Sequence, residues 1–250
     1  MAQEFFATTS PFGSLTGWEP QNDNPSTARQ RAQALGADGD EIAHHEYDEK
    51  TSVSANYVCK ADNATIPKYG DILSGYHVDQ VSVSFSNQAF VTMTITGHKH
   101  GSTAHPACRK YTGTLTEVAS MFGCPSTVPG CTIPSGAGVN SITYTLTGQH
   151  VDVPNGSGNF LAAGNYDGVE TVDVELCDNG EISPAQGWTL MTSSHGRSNT
   201  AATTTSASLE HHLSGTNPTS SASEYGRRRL PPRRDGGALS GTNPTSSASE

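Results

Sequence analysis

From Val81 to Thr96 the side chains alternate between apolar and hydroxyl types. Val81, Val83 and Phe85 are separated by Ser82 and Ser84. After the polar break Asn87-Gln88-Ala89-Phe90, Val91, Met93 and Ile95 alternate with Thr92, Thr94 and Thr96. A period of two belongs to a strand, whose successive side chains leave opposite faces. Two such runs around a short polar break predict a β-hairpin with one apolar and one hydroxyl face. Val83, Met93 and Ile95 are then core residues, and Ser82, Ser84, Thr92 and Thr94 line the other face.

The pattern has echoes. Ser141–Gly148 repeats the rhythm of Phe90 onward, with Thr143, Thr145, Thr147 and Gly148 matching Thr92, Thr94, Thr96 and Gly97. A longer echo begins at Trp188 and is set against Tyr76 without a gap. Ser86, Asn87, Ala89, Thr92 and His100 fall on Ser198, Asn199, Ala201, Thr204 and His212. Duplication and chance likeness of Ser/Thr-rich strands both give this pattern. Further strands are expected over Thr51–Cys59, with Val53, Ala55, Tyr57 and Cys59 on one face, and over Val139–Val153 and Val169–Cys177. Cys59 and Cys177 read as small buried apolar groups.

Two helices are expected beside the strands. Asn24 can cap, Pro25 suits a first helical position and Gly36 a left-handed exit, so Ser26–Leu35 reads as a short peripheral helix. Thr114 and Glu117 fit a capping box, and Leu115, Val118, Ala119 and Phe122 recur at helical spacing up to Gly123, which gives a packed helix over 114–122. The fold class is therefore mainly β: an antiparallel β-sandwich or barrel-like sheet with a long hairpin and one packed α-helix. Residues 1–48 read as an N-terminal arm with the short helix and an acidic connection, 49–212 as the β domain, and 213–250 as a low-complexity tail. In that tail Leu213–Glu224 recurs unchanged as Leu239–Glu250.

Of the 250 residues, 33% are hydrophobic and 15% charged, with a net charge of −10. That balance leaves little apolar surface for a fully packed domain of this length, so burial against neighbouring copies is one way to complete it. Net acidity disfavours nucleic acid as a partner, because phosphate binding needs concentrated positive charge. No run reaches the ~20 apolar residues of a membrane helix. Met1–Phe6 lacks the basic start and apolar core of a secretory signal. Phe5, Phe6, Phe12 and Trp18 stand in an otherwise polar arm. They need a docking surface, either on their own domain or on a neighbouring subunit.

His98-Lys99-His100, followed by His105 and Cys108, is the densest set of ligand-type residues. On a strand His98 and His100 share a face about 6.5–7 Å apart, a spacing that suits chelation of a zinc-like ion. Gly101 and Pro106 instead suggest imidazoles at a strand end facing water, and the spacing matches no named zinc motif. No catalytic, cofactor-binding or metal residue is assigned on this basis. The acidic segments Asp38–Glu41 and His44–Glu49 read as a solvated connection. Cys124 and Cys131 flank a turn-rich loop with no positioned base.

The hydroxyl-rich alternating hairpin, the single mid-chain helix and the charge-poor acidic composition resemble tail-tube and related virion structural proteins of long-tailed bacteriophages. The resemblance spans roughly Glu49 to His212. It implies a non-enzymatic, self-assembling β-sandwich subunit that forms rings or tubes in the virion. Neighbours would be joined through the N-terminal arm, and there are no catalytic residues or cofactors to carry over. The long tail departs from that pattern and suits a decoration or fibre protein. A secreted carbohydrate-binding module and a metal-dependent hydrolase using His98, His100 and His105 are the readings from other classes.

Overall fold

A computed structural model describes residues 10–101, 105–134, 137–157, 160–177, 181–197 and 203–217. Thirteen strands follow in order: β1 (Trp18–Leu35), β2 (Glu41–Cys59), β3 (Ala64–Thr65), β4 (Ile72–Leu73), β5 (Tyr76–Ser86), β6 (Thr92–His100), β7 (Glu117–Val118), β8 (Cys131–Thr132), β9 (Val139–Pro154), β10 (Phe160–Leu176), β11 (Ser183–Pro184), β12 (Thr189–Arg197) and β13 (Thr203–His212). The main sheet runs β1-β2-β6-β5-β9-β10-β13-β12, with β4 added beside β5. All its pairings are antiparallel. Its two ends do not meet, so it is an open sheet and not a closed barrel. β8–β11 and β3–β7 form two small separate sheets.

The hairpin over β5 and β6 has the register its alternation demands. Val81, Val83, Met93 and Ile95 are almost wholly buried, while Ser84 and Thr92 are exposed and Ser82 and Thr94 lie between. Val53, Ala55 and Tyr57 of β2 and Ile142, Tyr144 and Leu146 of β9 extend the same core. The echo at Trp188 also has a structural counterpart. β12 and β13 form a hairpin at the far end of the sheet, where β13 plays the inner strand and β12 the edge.

Both expected helices are absent among the described residues. Residues 26–35 belong to β1, which pairs with β2 along its whole length to Leu35↔Glu41. A ladder over that length outweighs the thin Ala28/Ala32/Leu35 stripe. Pro25 is tolerated because β1 is an edge strand, where a missing N–H costs no ladder bond. The turn Asp38-Gly39 closes this hairpin, with Gly39 in the left-handed region at φ 88°. Residues 41–49, read as a solvated connection, are therefore part of β2.

In the second case the capping box is dismantled by tertiary partners. The Thr114 amide and hydroxyl donate to the buried Glu170 carboxylate, at 2.7 and 3.2 Å, so Thr114 caps nothing. Glu117 and Val118 pair with Thr65 and Ala64 as β7. Val118 is fully buried, so the apolar spacing reports core contacts made by extended chain.

Three further groups of residues are placed by the structure. Phe12 and Trp18 are buried in their own domain: Phe12 meets Tyr76 edge to face, and the Trp18 indole N–H donates to the Thr65 carbonyl at 2.8 Å. Phe5 and Phe6 lie outside the described residues. Cys177 is exposed, unlike Cys59. Residues 213–217 are tied to the domain by Leu213 N to Gly168 O and by a reciprocal pair between Thr216 and Lys110, so the domain extends past His212.

Candidate metal centre

β6 changes its buried face near its end. Up to Gly97 the odd-numbered residues are buried, but His98 and His100 are also buried, on the parity of Thr92, Thr94 and Thr96. The sheet explains this. β5 and β9 are paired from Ser86↔Ser141 to Gln80↔Thr147 and no further. Beyond that split, His150 and Asp152 of β9 meet His98 and His100 of β6. His105 returns to the same place from the following loop, held by its amide on the Gly75 carbonyl at 3.1 Å.

The imidazoles converge on one carboxylate. Asp152 lies 3.6 Å from His98 Nε2, 3.0 Å from His100 Nε2, 3.6 Å from His105 Nε2 and 2.6 Å from His150 Nε2. Only the His150 contact has hydrogen-bond geometry. The Nε2 atoms of His98, His100 and His105 are buried with no hydrogen-bond partner. Three such orphans in one place call for an explanation, because an unmet buried polar atom costs ~1–3 kcal/mol.

The opposite nitrogen of each ring is firmly held. His98 Nδ1 donates to Asp79 at 2.7 Å and His100 Nδ1 to Asp48 at 2.7 Å. His105 Nδ1 donates to the Pro106 carbonyl at 3.0 Å, and His150 Nδ1 to Asn165 Oδ1 at 2.6 Å. The Asn165 amide cannot be reversed, since its Nδ2 donates to the Arg109 carbonyl at 2.8 Å. The same Nδ2 donates to His77 Nε2 at 2.8 Å, which leaves His77 to donate from Nδ1 to Asp79 at 2.8 Å. All four convergent rings thus donate from Nδ1. In the neutral form His98, His100 and His105 each present an Nε2 lone pair to the common point, whereas His150 Nε2 donates to Asp152 and would have to lose that proton to ligate a metal. Oxygen acceptors behind metal-bound imidazoles fix tautomer and orientation in this way.

Two of these acceptors sit at irregularities that aim them. Asp79 is the extra residue of a bulge in β5, between the pairs Val78↔Gly97 and Gln80↔Thr96. Asp48 lies where β2 carries an extra residue against β1, and its φ is 51°. Bulges and left-handed non-glycine residues collect at functional sites, where they redirect a side chain at some conformational cost.

The electrostatics point the same way. Burial alone would raise the Asp79 pKa, but the bonds from His77 and His98 outweigh it and hold the carboxyl below its ordinary range. Burial acts likewise on Asp152, and the imidazoles of His105, His150 and His98 outweigh it to hold that carboxyl low. Burial lowers His77, in keeping with a neutral ring. Burial would also lower His98, but Asp152 and Asp79 reverse the sign and raise it. The centre is therefore a buried place that attracts positive charge around Asp152.

A zinc-type ion binds imidazole nitrogen and carboxylate oxygen at about 2.0–2.1 Å, which sets neighbouring ligand atoms roughly 3.0–3.4 Å apart. The His100 separation of 3.0 Å falls within that range, those of His98 and His105 at 3.6 Å lie just beyond it, and that of His150 at 2.6 Å is shorter, so these side chains need only small shifts to surround an ion. His98, His105, His150 and Asp152 each offer a ligand atom within 4.8 Å of the others. His77, Asp79 and His98 also cluster, but their short Nδ1–carboxylate bonds fit a buttress rather than a second ion. Cys108 stands close by with its sulfur 4.0 Å from His105 Nδ1; burial, then Asp152, pushes its thiol up to about 11, so it is a protonated neighbour.

Of the residues singled out in the sequence, His98, His100 and His105 come together. His44 and His45 lie apart on the exposed ribbon, with His44 paired to Glu41. His150, Asp152, Asp79, Asp48 and Asn165 were missed. A signal for them exists: His77-Val-Asp79, His98-Lys-His100 and His150-Val-Asp152 are three copies of a ligand–spacer–ligand pattern, one on each of three adjacent strands. No family model and no curated protein matches this chain.

Proposed function

We propose that this chain is a metalloprotein acting through one divalent first-row transition ion of the zinc class. His98, His105 and His150 would hold the ion through Nε2 and Asp152 through a carboxylate oxygen, with His100 as a further donor. The observation that carries this is the set of three buried, unpartnered Nε2 atoms aimed at one carboxylate, each backed by an oxygen acceptor on Nδ1. Imidazole-rich sites favour zinc, copper, iron or nickel over magnesium or calcium. An ion here supplies Lewis acidity, and the chain's own groups fix the geometry around it. Three carboxylates, Asp48, Asp79 and Asp152, are offset by the ion's two charges and by Lys50, whose ammonium lies 3.2 Å from Asp152 Oδ2.

The test is metal analysis of protein purified without chelator and then loaded with zinc, cobalt or copper. About one tightly held ion per chain is expected, falling well below that in His98→Ala and His150→Ala. A wild-type protein that retains no ion after loading and desalting overturns the reading.

Assembly of the kind implied by the virion resemblance is the second reading. Its support is the β1–β2 ribbon, exposed over residues 21–46 and carrying Leu35 and Ile42 at its tip, 55% and 71% exposed. The inward-turned Phe12 and Trp18 supply no anchor for it. Light scattering and electron microscopy of the purified protein test it: rings or tubes support assembly, and a monomer at high concentration removes it.

A further inference from the structure

The surroundings of the centre are one-sided. On one side the rings of His100 and His105 are buried, and Phe160 closes over them. Phe160 stacks on His100 with centroids 4.2 Å apart and planes within 2°, and lies 5.1 Å from His105. On the other side lies a hollow of about 200 Å³, bounded by His98, His150 and Asp152 of the centre, by Asp79 behind them, and by Lys50, Tyr69 and Gly148. The Asp152 side chain is 20% exposed and Lys50 38%. Structural zinc sites are closed by protein on every side, whereas working sites leave a coordination position open to solvent.

We infer that, beside His98, His105, His150 and Asp152, the ion takes a small anion from this side as an exchangeable fifth ligand, with Lys50 Nζ as its counter-charge. This rests on the metal reading above. The hollow has room for a small ligand, being several times the ~30 Å³ that a water molecule occupies in the liquid. Its chemistry limits the ligand. The lining is polar: the carboxylates of Asp79 and Asp152 face it, and against them stands the Lys50 ammonium, a mobile point charge that accommodates varied anions. Lys50 faces Asp152 Oδ2 at 3.2 Å. When that carboxylate binds an ion, its charge is shared with the metal, and the ammonium becomes available to an arriving carboxylate or inorganic oxyanion. A ligand in the hollow can therefore bind the metal with one atom and meet Lys50 with another. Such two-point binding places a small acid or oxyanion beside a Lewis acid. The inferred ligand and substrate class is accordingly a small carboxylate or oxyanion of a few heavy atoms. The larger hollow beside Asn87 and Cys124 has no histidine in its lining, so it does not compete for this role.

The experiment uses the full chain loaded with cobalt(II), whose visible bands report coordination, titrated with sodium azide and separately with sodium acetate at constant ionic strength. A saturable band shift with both anions is expected. Lys50→Met is expected to weaken both by about tenfold, the loss of one charge-assisted contact. Lys50→Arg should hold wild-type affinity. Bands of hydrated cobalt only, with no protein-bound spectrum, overturn the metal reading and this inference with it. A protein-bound spectrum that neither anion moves overturns this inference alone and marks a closed, structural ion. Equal shifts in wild type and Lys50→Met remove Lys50 from the role. Should Lys50→Met not fold, the wild-type titration with the two anions decides the open position by itself.

Discussion

Replacing Asp79 by Asn changes one atom and sets two histidines against each other. In the native arrangement the carboxylate takes Nδ1–H of His77 at 2.8 Å and Nδ1–H of His98 at 2.7 and 2.9 Å. An amide has one oxygen and one NH2 group, so it accepts well from one ring and presents donors to the other. If the oxygen serves His98, the NH2 faces His77 Nδ1–H. His77 cannot shift its proton to Nε2, because Asn165 Nδ2 already donates there and is pinned by the Arg109 carbonyl. If the oxygen serves His77, His98 must move its proton to Nε2, where it blocks the metal. Either outcome leaves a buried polar conflict costing ~1–3 kcal/mol. Charged to metal binding, that is roughly a 10–100-fold loss of affinity, the size usual for a removed acceptor behind a metal ligand. Competition against a chromophoric chelator at pH 7.5 measures it. The metal-free variant should melt within a few degrees of the metal-free wild type. An unchanged zinc affinity in a folded Asp79→Asn protein would refute the assigned tautomers, and so would an equal loss in Ser82→Ala on the same strand.

Ile95 is fully buried, so Ile95→Asp should unfold the domain or cost several kcal/mol, while Thr94→Asp on the opposite face should shift the midpoint in urea only slightly. Tolerance of the first with failure of the second would mean that the β6 register is wrong. Trp18→Ala removes a buried ring and the indole bond to Thr65, with an expected loss of ~3–5 kcal/mol in denaturant melts and no change in mass by light scattering. A stable variant that loses oligomers would return Trp18 to an interface role. Burial holds the Cys108 thiol protonated until near pH 11, and Cys177 is exposed. Iodoacetamide at pH 8 should therefore label Cys177 and spare Cys108, as peptide mapping would show; prompt labelling of Cys108 would contradict its burial.

The strands were legible wherever alternation was strict, because one buried face tolerates only one register. Local signals failed where distant partners claimed the same groups. Thr114 and Glu117 spell a capping box, yet Glu170, more than fifty residues away, takes the Thr114 amide. Asn24-Pro25 spells a helix start, yet β2 offers the whole segment a ladder. The centre was half visible for a related reason. His98 and His100 were recognised as facing one way, but their hydroxyl-lined side reads as solvent until β9 diverges from β5 and brings His150 and Asp152 across. Asp79 and Asp48 depend on bulges, which leave no mark in the alternation.

The main sheet is two runs of strands joined at one seam. β1, β2, β6 and β5 come from residues before 101, and β9, β10, β13 and β12 from residues after 138, so among the described residues only the β5–β9 pairing stitches the runs together within the sheet. His98 and His100 belong to the first run, His105 to the connection that follows it, and His150 and Asp152 to the second run, and they meet where that stitching stops. An ion bound there acts as a rivet at the open end of the seam. Zinc released to a chelator should leave each run of strands intact and let the β5–β9 amides exchange with solvent sooner than those between β5 and β6. The rate at which the ion departs would then track the opening of this joint rather than global unfolding.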